Sequence, residues 1–193
     1  MLKVAITGGI ASGKSYALKC IKKLNYPIIS ADEEIQKIYK DELILKQLSK
    51  VFKVENLTKE SIKPIVLQDK SKLKILEKIL YKKLYSNFDK FERESRLKGY
   101  KMCFFEIPLL FEKQTHKKYD FIVNIEAPIF IQKRRFLMRA GSKLKDFYKF
   151  SNLQLHTAQK KYLINKVKGA NILNINPNGG FKCKISNCIR RIV

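Results

Sequence analysis

A chain of 193 residues is long enough to bury one hydrophobic core and too short for two large independent domains. Hydrophobic residues make up 45% of the chain and charged residues 30%, a composition that excludes a disordered or fibrous protein. The net charge of +24 favours polyanionic partners such as nucleotides, nucleic acid or an anionic membrane face. Because lysine dominates the basic residues, compositional drift accounts for this charge as well as a functional basic surface does.

The cysteines and the apolar segments indicate the compartment. No Cys-x-x-Cys pair occurs, so we expect reduced thiols rather than disulfides or zinc ligands at Cys20, Cys103, Cys183 and Cys188. The N-terminus carries no cleavage-like site, and no later stretch approaches the roughly 18 apolar residues of a membrane span. These features predict a cytoplasmic protein without a membrane anchor.

The first elements along the chain are predicted to be a strand, a helix and a second strand. Leu2–Thr7 is an apolar, β-branched run that ends in two glycines, which predicts a buried parallel strand entering a tight loop. A helix is expected from Ser15 to Leu24, where Asn25 and Pro27 stop it. Residues 27–31 (PIISA) then predict a second buried strand, with Asp32 at its carboxyl end.

From Glu33 to about Gly99 the pattern is helical. Apolar side chains recur at spacings of three and four residues along a long amphipathic segment: Leu73, Leu76, Leu80, Leu84, Phe88 and Phe91. Gly99 is expected to cap this helix. Because the segment interrupts the alternation of strands and helices, we interpret residues 33–99 as an insertion that forms a substrate wall above the sheet.

Short apolar strands then resume at residues 101–107, 120–126 and 171–176, which makes five in all. Pro128 suits the first turn of a helix that runs to Arg139, where Ala140-Gly141 breaks it. A second, lysine-rich helix is expected from Leu144 to about Lys166. Residues 128–166 are therefore predicted to form a helical hairpin that stands away from the sheet.

Residues 8–15 (GGIASGKS) fit the phosphate-binding motif G-x-x-x-x-G-K-S/T, and they lie where the motif requires, between a strand and a helix. The glycines let successive backbone N–H groups and the helix N-terminus point at phosphate oxygens. Lys14 is expected to neutralise the β- and γ-phosphates, and the Ser15 hydroxyl to ligate Mg²⁺. An ordinary glycine-rich turn is the alternative, which this context disfavours.

Two carboxylates end predicted strands, at the sheet edge where ligands bind in parallel sheets. Asp32 is ionised at neutral pH and can accept the proton of an attacking hydroxyl, or it can act as the N-cap of the helix from Glu33 onward. The residues alone leave both roles open. Glu106 could hold the Mg²⁺ shell, share the proton-accepting role, or be a satisfied strand-end carboxylate.

Two arginines lie four residues apart on the predicted helix from Pro128. Arg135 and Arg139 would therefore share a helical face that could close over a triphosphate and stabilise charge on the transferred group. The alternative is a basic helix face that is simply solvated.

The order of these motifs resembles that of the dephospho-CoA kinases across nearly the whole chain: VAITGGIASGKS, IISAD, EIPLLFE, QKRRFLMR and a late turn that contains asparagine. Residues 106–112 (EIPLLFE) carry the resemblance furthest, because a generic P-loop kinase has no reason to contain Pro-Leu-Leu-Phe-Glu at that strand end. The resemblance implies a three-layer α/β P-loop kinase fold with a five-stranded parallel sheet. It places the core at 1–32, 100–127 and 167–193, a helical CoA-binding insertion at 33–99 and a lid at 128–166.

The resemblance also implies the activity and its residues. ATP, with Mg²⁺, would phosphorylate the ribose 3′-hydroxyl of dephospho-CoA, with Asp32 as base, Lys14 on the phosphates and Arg139 in the lid. Nucleotide contacts are expected from Gly9, from the phosphate cradle Ala11, Ser12, Gly13, Lys14, Ser15 and Tyr16, from Arg135, and from Asn176 near the adenine. Ser15 and Glu106 are the expected metal ligands.

Several positions depart from the family pattern. Ala11 and Tyr16 replace the usual Gly and Thr of the loop, and Glu106 stands where Asp is common. Tyr81-Lys82 falls where a His-Pro pair is usual, and several extra residues lie between Gln154 and Ala170.

Two other functions compete with the dephospho-CoA kinase interpretation. One is a different small-molecule kinase, for a nucleoside, a nucleotide or shikimate, which the PLLFE segment disfavours. The other is a basic P-loop protein that binds nucleic acid. This interpretation is disfavoured because the sequence lacks the interleaved aromatic and basic residues of RNA-binding proteins. We expect a monomer or weak homo-oligomer with small-molecule partners only, and neither nucleic acid nor a membrane as partner.

Overall fold

The structure is a computed structural model that describes residues 1–55 and 57–155, together with residues 159, 162, 163, 171–175, 187, 189, 190 and 192. For residues 171–175 it describes the backbone alone. The chain divides into two compact units, of which the first contains residues 1–28 and 95–193 and the second contains residues 29–94.

Five strands form one sheet, as the sequence predicted. In chain order they are β1 (Leu2–Gly8), β2 (Ile28–Ser30), β3 (Met102–Glu106), β4 (Phe121–Ile125) and β5 (Asn171–Ile175). Their spatial order is β2-β3-β1-β4-β5. The central strand β1 pairs in parallel with β3 and β4, so that Ile6 lies opposite both Glu106 and Val123. The carboxyl ends of these three strands therefore meet at one edge of the sheet, where Gly8 leads into the phosphate-binding motif.

The core of the first unit surrounds these central strands, which are almost continuously apolar because both faces of the sheet are covered. Helix α1 (Lys14–Lys22) follows the glycine-rich loop and buries Ala17 and Ile21 against β1 and β3 residues such as Val4 and Phe104. Cys20 and Cys103 are buried and not disulfide-bonded, which confirms the expected reduced thiols at these two positions. Cys183 and Cys188 lie outside the described residues.

The second unit is helical, as expected from its pattern. It contains α2 (Ala31–Ile38), α3 (Glu42–Phe52), α4 (Lys59–Gln68) and most of α5 (Lys70–Leu97). The predicted apolar face of α5 is buried at Leu76, Leu80, Leu84 and Phe88, whereas Leu73 keeps 40% of its surface exposed. The helix ends at Leu97, in the first unit, and Gly99 is confirmed as its cap by a φ of 77° and by an N–H bond to the Arg96 carbonyl.

Two helices of the first unit are shorter than the sequence predicted. Helix α6 (Ile129–Leu137) begins after Pro128 and ends two residues before Arg139. Helix α7 (Leu144–Asn152) ends well before Lys166, so the expected continuous helix is wrong. Its last turn closes when the Gln154 N–H donates to the Ser151 carbonyl, and the next residue, Leu155, donates its N–H to Glu112 Oε1 instead of continuing the helix.

Candidate active site

The glycine-rich loop joins β1 to α1 and is held between β4 and α6. A Cβ on Gly8 would lie 2.3 Å from the Ile125 carbonyl oxygen, so the close approach of β4 excludes any side chain there. Gly9 is also tightly packed, since a Cβ would lie 2.7 Å from Oε1 of Gln132. Gly13 has a φ of 115° and precedes the first turn of α1. The close approach of β4 at Gly8 and the positive φ of Gly13 explain why these two motif positions are glycine, whereas Gly9 meets only the end of the flexible Gln132 side chain.

A tight turn shapes the loop between its glycines. The Ser12 N–H donates to the Gly9 carbonyl at 3.2 Å, which makes Ile10 and Ala11 the two central residues of the turn. Ala11 has a φ of 51°, in the left-handed region that a type II turn requires of its third residue. This conformation costs a non-glycine residue roughly 1–2 kcal/mol, and Ala11 occupies the position where the sequence departs from the usual glycine.

The Ala11 methyl group has a partner that the sequence did not reveal. Ala11 is only 8% exposed and forms an apolar cluster with Phe136 of α6 and Phe147 of α7, against which Ile10 also packs. The phenylalanine rings lie 5.6 Å apart between centroids. The helices that the sequence assigned to a lid therefore contact the phosphate-binding loop directly.

Two of the predicted cationic residues converge on this loop. The Lys14 ammonium donates to the Gly8 and Gly9 carbonyl oxygens at 3.1 and 2.9 Å. The Arg135 guanidinium donates through Nη1 to the Ser12 carbonyl oxygen at 3.2 Å. Positive charge is thus concentrated where the loop and the N-terminus of α1 present backbone N–H groups, which is a favourable arrangement for binding phosphate.

Arg139 lies beyond the end of α6. Because α6 ends at Leu137, the predicted face shared by Arg135 and Arg139 is wrong. The exposed Arg139 guanidinium instead lies 5.8 Å from the centroid of the Phe136 ring, in a cation–π contact. Its expected action on the transferred phosphoryl group stays a prediction.

Polar groups gather at the carboxyl ends of β3 and β4. Glu106 is buried at the end of β3, as predicted, in register with Ile6 of β1. Asn124 is also buried, and its Nδ2 donates to Glu126 Oε1 at 2.9 Å just after β4. Sequence reasoning missed this pair, although an asparagine within the otherwise apolar run FIVNI was an available signal.

In the second unit, Asp32 lies in the first turn of α2 and is not the N-cap. Ser30 has the extended backbone of an N-cap, and its side-chain oxygen accepts a hydrogen bond from the Glu33 N–H. The N-cap interpretation of Asp32 is therefore wrong. A carboxylate in the first turn is favoured by the positive end of the helix dipole.

Asp32 lines a cavity of about 570 Å³ between α2 and α5, which is a common size for a small-molecule site. Helix α5 contributes three leucines to the lining and α2 contributes most of the polar side chains. The lining residues are Asp32, Glu33, Ile35, Gln36, Tyr39, Leu73, Leu76, Glu77, Leu80 and Tyr81. Leu73 is partly exposed because it borders this cavity. Tyr81, one of the departures from the family pattern, forms part of the wall and stacks on Tyr85.

A buried carboxylate joins the two helices that form the cavity. Glu34 accepts a hydrogen bond from Asn87 Nδ2 of α5 at 3.0 Å and pairs with Lys37 of its own helix. The hydrogen bond and charge of Glu34 raise the pKa of the Lys37 ammonium, so Lys37 stays charged. Burial raises the pKa of Tyr39, whose phenol is therefore neutral across the physiological range. Sequence reasoning did not single out Glu34, because a glutamate in a helical first turn has no distinctive local pattern.

Three further findings concern the predicted adenine contact, metal ligands and membrane spans. Asn176, expected near the adenine, lies outside the described residues. Within the described ranges, no group of three or more His, Cys, Asp or Glu side chains could hold a metal ion. None of the helices in the described part of the chain is long and apolar enough to cross a bilayer.

Comparisons with known proteins concern the family and the fold of this chain. A family model for dephospho-CoA kinase matches residues 2–172. The dephospho-CoA kinase of Bartonella quintana is 34% identical over 162 residues, which cover 82% of this chain and 83% of the relative, and that of Bartonella henselae is 32% identical over the same shares. The crystal structure of TT1252 from Thermus thermophilus has a similar fold, with a TM-score of 0.77, 23% identity, and coverage of 99% of this chain and 95% of that one. The chain belongs to the dephospho-CoA kinase family.

Proposed function

We propose that this protein transfers the γ-phosphoryl group of ATP to the ribose 3′-hydroxyl of dephospho-CoA, giving coenzyme A and ADP, the last step of coenzyme A synthesis. Membership of the family, matched over residues 2–172, supports a kinase acting on dephospho-CoA. The observation that carries the residue assignment is the position of Asp32, which lines a largely apolar cavity of suitable size. A proton acceptor beside a substrate cavity is what transfer to a hydroxyl requires.

The phosphate-binding loop supplies most of the expected transition-state stabilisation. Phosphoryl transfer passes through a loose transition state, so that alignment and charge neutralisation matter more than covalent chemistry. The backbone N–H groups from Ala11 to Tyr16 and the N-terminus of α1 would bind the phosphates. Lys14 would exchange its contacts with the Gly8 and Gly9 carbonyls for oxygens of the β- and γ-phosphates.

We further propose that Ser15 and Glu106 hold Mg²⁺ together with phosphate oxygens. Both present the hard oxygen donors that this ion prefers, Ser15 from the first turn of α1 and Glu106 from the end of the strand beside β1. Magnesium usually takes only one or two protein carboxylates, and Glu106 would supply one. When bound, the ion neutralises phosphate charge.

On the acceptor side, Asp32 would take the proton of the ribose 3′-hydroxyl. The leucines of α5 give the cavity an apolar wall for the less polar part of dephospho-CoA, and the neutral Tyr39 phenol can donate a hydrogen bond. Glu34 and Asn87 hold α2 against α5 and so fix the helix that carries Asp32. Tyr81 would contact the substrate at the position where the family usually has histidine.

A panel of acceptors tests this function. ADP release is measured with dephospho-CoA, adenosine, AMP and shikimate, and ³¹P NMR of the product identifies the phosphorylated hydroxyl. We expect turnover with dephospho-CoA to exceed turnover with every other acceptor, with phosphate at the 3′ position. Equal or faster turnover of a nucleoside or of shikimate would contradict the proposal. A salt titration with random oligonucleotides tests the nucleic-acid alternative, because genuine affinity of that kind falls steeply with salt.

A further inference from the structure

We propose that Gln154 is a positioning residue for the phosphate-binding loop, an inference that rests on the nucleotide site assigned above. Its side-chain Oε1 accepts a hydrogen bond from the Ile10 N–H at 2.8 Å, and this contact is partly buried. The two residues are 144 positions apart in the chain. Gln154 thus fixes the glycine-rich loop from outside, although it belongs to the segment that follows α7.

The bonded N–H belongs to the peptide group whose carbonyl closes the turn of the loop. Ile10 is the second residue of the turn that the Ser12 N–H and the Gly9 carbonyl close. The peptide group between Gly9 and Ile10 is therefore held at both ends, because its carbonyl accepts the Ser12 N–H and its N–H donates to Gln154. With Ile10 fixed, the N–H groups from Ala11 onward are aimed before ATP arrives, and pre-organisation of this kind lowers the cost of binding. Without Gln154, a partly buried N–H would lose its partner.

Gln154 is itself held in place by its neighbours. Its own N–H donates to the Ser151 carbonyl at 3.1 Å, at the end of α7. The next residue, Leu155, donates its N–H to Oε1 of Glu112 at 2.9 Å, in the segment that follows β3. Consecutive residues therefore bond to the loop after β1 and to the segment after β3. The Gln154 side chain is thus presented from a fixed backbone, as a positioning residue must be.

The apolar contacts of the loop do not depend on Gln154. Ile10 and Ala11 pack against Phe136 and Phe147, and this cluster remains when the carboxamide is removed. Loss of the hydrogen bond should therefore change the orientation and mobility of the loop without unfolding the protein. This separates a positioning role from a purely structural one.

Three variants test the role. Gln154→Leu removes the acceptor, Gln154→Glu keeps a carboxyl oxygen for the Ile10 N–H, and Asn152→Ala alters an exposed residue at the end of α7 as the matched control. Amide hydrogen exchange at Ile10 is measured by NMR without nucleotide. Affinity for ATP is measured by calorimetry, and kcat, KM and melting temperature are measured on the same preparations.

In Gln154→Leu we expect faster exchange at Ile10 and a dissociation constant for ATP raised roughly 3- to 10-fold, the effect of one net hydrogen bond. The KM for ATP should rise by the same factor while KM for dephospho-CoA holds and the melting temperature falls by only about 2–4 °C. Gln154→Glu should restore slow exchange at Ile10, and Asn152→Ala should match the wild type throughout. Unchanged Ile10 exchange and ATP affinity in Gln154→Leu would overturn the inference. Because these readouts need no acceptor, failure of the proposed function would appear separately, as wild-type protein that binds ATP but does not phosphorylate dephospho-CoA.

Discussion

The side-chain oxygen of Ser30 accepts a hydrogen bond from the backbone N–H of Glu33, at 3.5 Å. This contact makes Ser30 the N-cap of α2 and places Asp32 in the first turn, where it lines the cavity beside α5. The sequence allowed Asp32 to act either as the N-cap or as the base. The structure gives the N-cap to Ser30, and the proposed base role stays with Asp32. Each function can be removed separately.

Asp32→Asn should separate proton acceptance from folding. Asparagine keeps the shape of the side chain but cannot take a proton, so kcat should fall roughly 10²–10⁴-fold while melting temperature and substrate affinities hold. A loose transition state places the loss toward the lower end of that range. The matched control is Ser30→Ala, which should lower stability by about 0.5–1 kcal/mol and leave kcat near the wild-type value. A kcat within a few-fold of wild type in Asp32→Asn would contradict the base assignment and make Glu106 the next residue to substitute.

Lys14→Ala should nearly abolish turnover. The ammonium is the only side-chain cation supplied by the motif itself, and loss of a pre-organised charge of this kind costs roughly 10²–10³ in rate. Because Lys14 also bonds to the Gly8 and Gly9 carbonyls, affinity for ATP should weaken as well. Steady-state kinetics and calorimetry on one preparation check both effects. Near-normal turnover would remove the assignment of the ATP site.

Arg135 and Arg139 should differ in their effects, because the structure gives them different partners. Arg135 supports the loop through the Ser12 carbonyl, so Arg135→Ala should raise the dissociation constant for ATP. Arg139 lies over the Phe136 ring beyond the end of α6, and Arg139→Ala should lower kcat far more than it weakens ATP binding. If ATP affinity collapses in Arg139→Ala while kcat holds, Arg139 is a ground-state contact and its lid role is wrong.

Ala11→Gly should leave the free energy of unfolding nearly unchanged. Glycine relieves the left-handed backbone, worth roughly 1–2 kcal/mol. It also loses a buried methyl group, worth about 0.8 kcal/mol, and adds freedom to the unfolded chain, worth roughly 0.4–1 kcal/mol. Ala11→Val is the contrasting variant and should be strongly destabilising, because a β-branched residue tolerates this conformation poorly. Denaturant unfolding measures both, and a large gain from glycine would show that the methyl contributes nothing against Phe136 and Phe147.

His116 should make stability depend on pH. Burial, and then the neighbouring Lys117, lower the pKa of its imidazole, and its Nδ1 is buried without a hydrogen-bond partner among the described residues. The unfolded chain therefore binds a proton more readily than the folded one. The contribution of the neutral His116 to the free energy of unfolding should be fully present above about pH 6.5. It should be lost as the pH falls below that value. Melting temperatures of wild type and His116→Gln across pH 5–8 check this, because the titration of other groups is common to both. Parallel curves would contradict the prediction.

The sequence by itself determined the features that depend on local pattern. Five apolar runs predicted the five strands, and the glycine-rich motif between a strand and a helix predicted the phosphate-binding loop. Glu106 was correctly placed at the end of β3. These features succeed because a buried parallel strand needs an uninterrupted apolar run, and a phosphate loop needs glycine at fixed positions. Residues 106–112 (EIPLLFE) likewise sufficed to indicate the family.

Only the tertiary structure decided which of two neighbouring residues caps α2, because Ser30 and Asp32 both suit an N-cap and backbone geometry alone selects between them. It also decided where α7 ends. Local helical propensity continues past Asn152, but the Leu155 N–H, which a longer helix would have used, donates to Oε1 of the distant Glu112. Such contacts join residues more than 40 positions apart, and no local pattern encodes which partner a side chain will find.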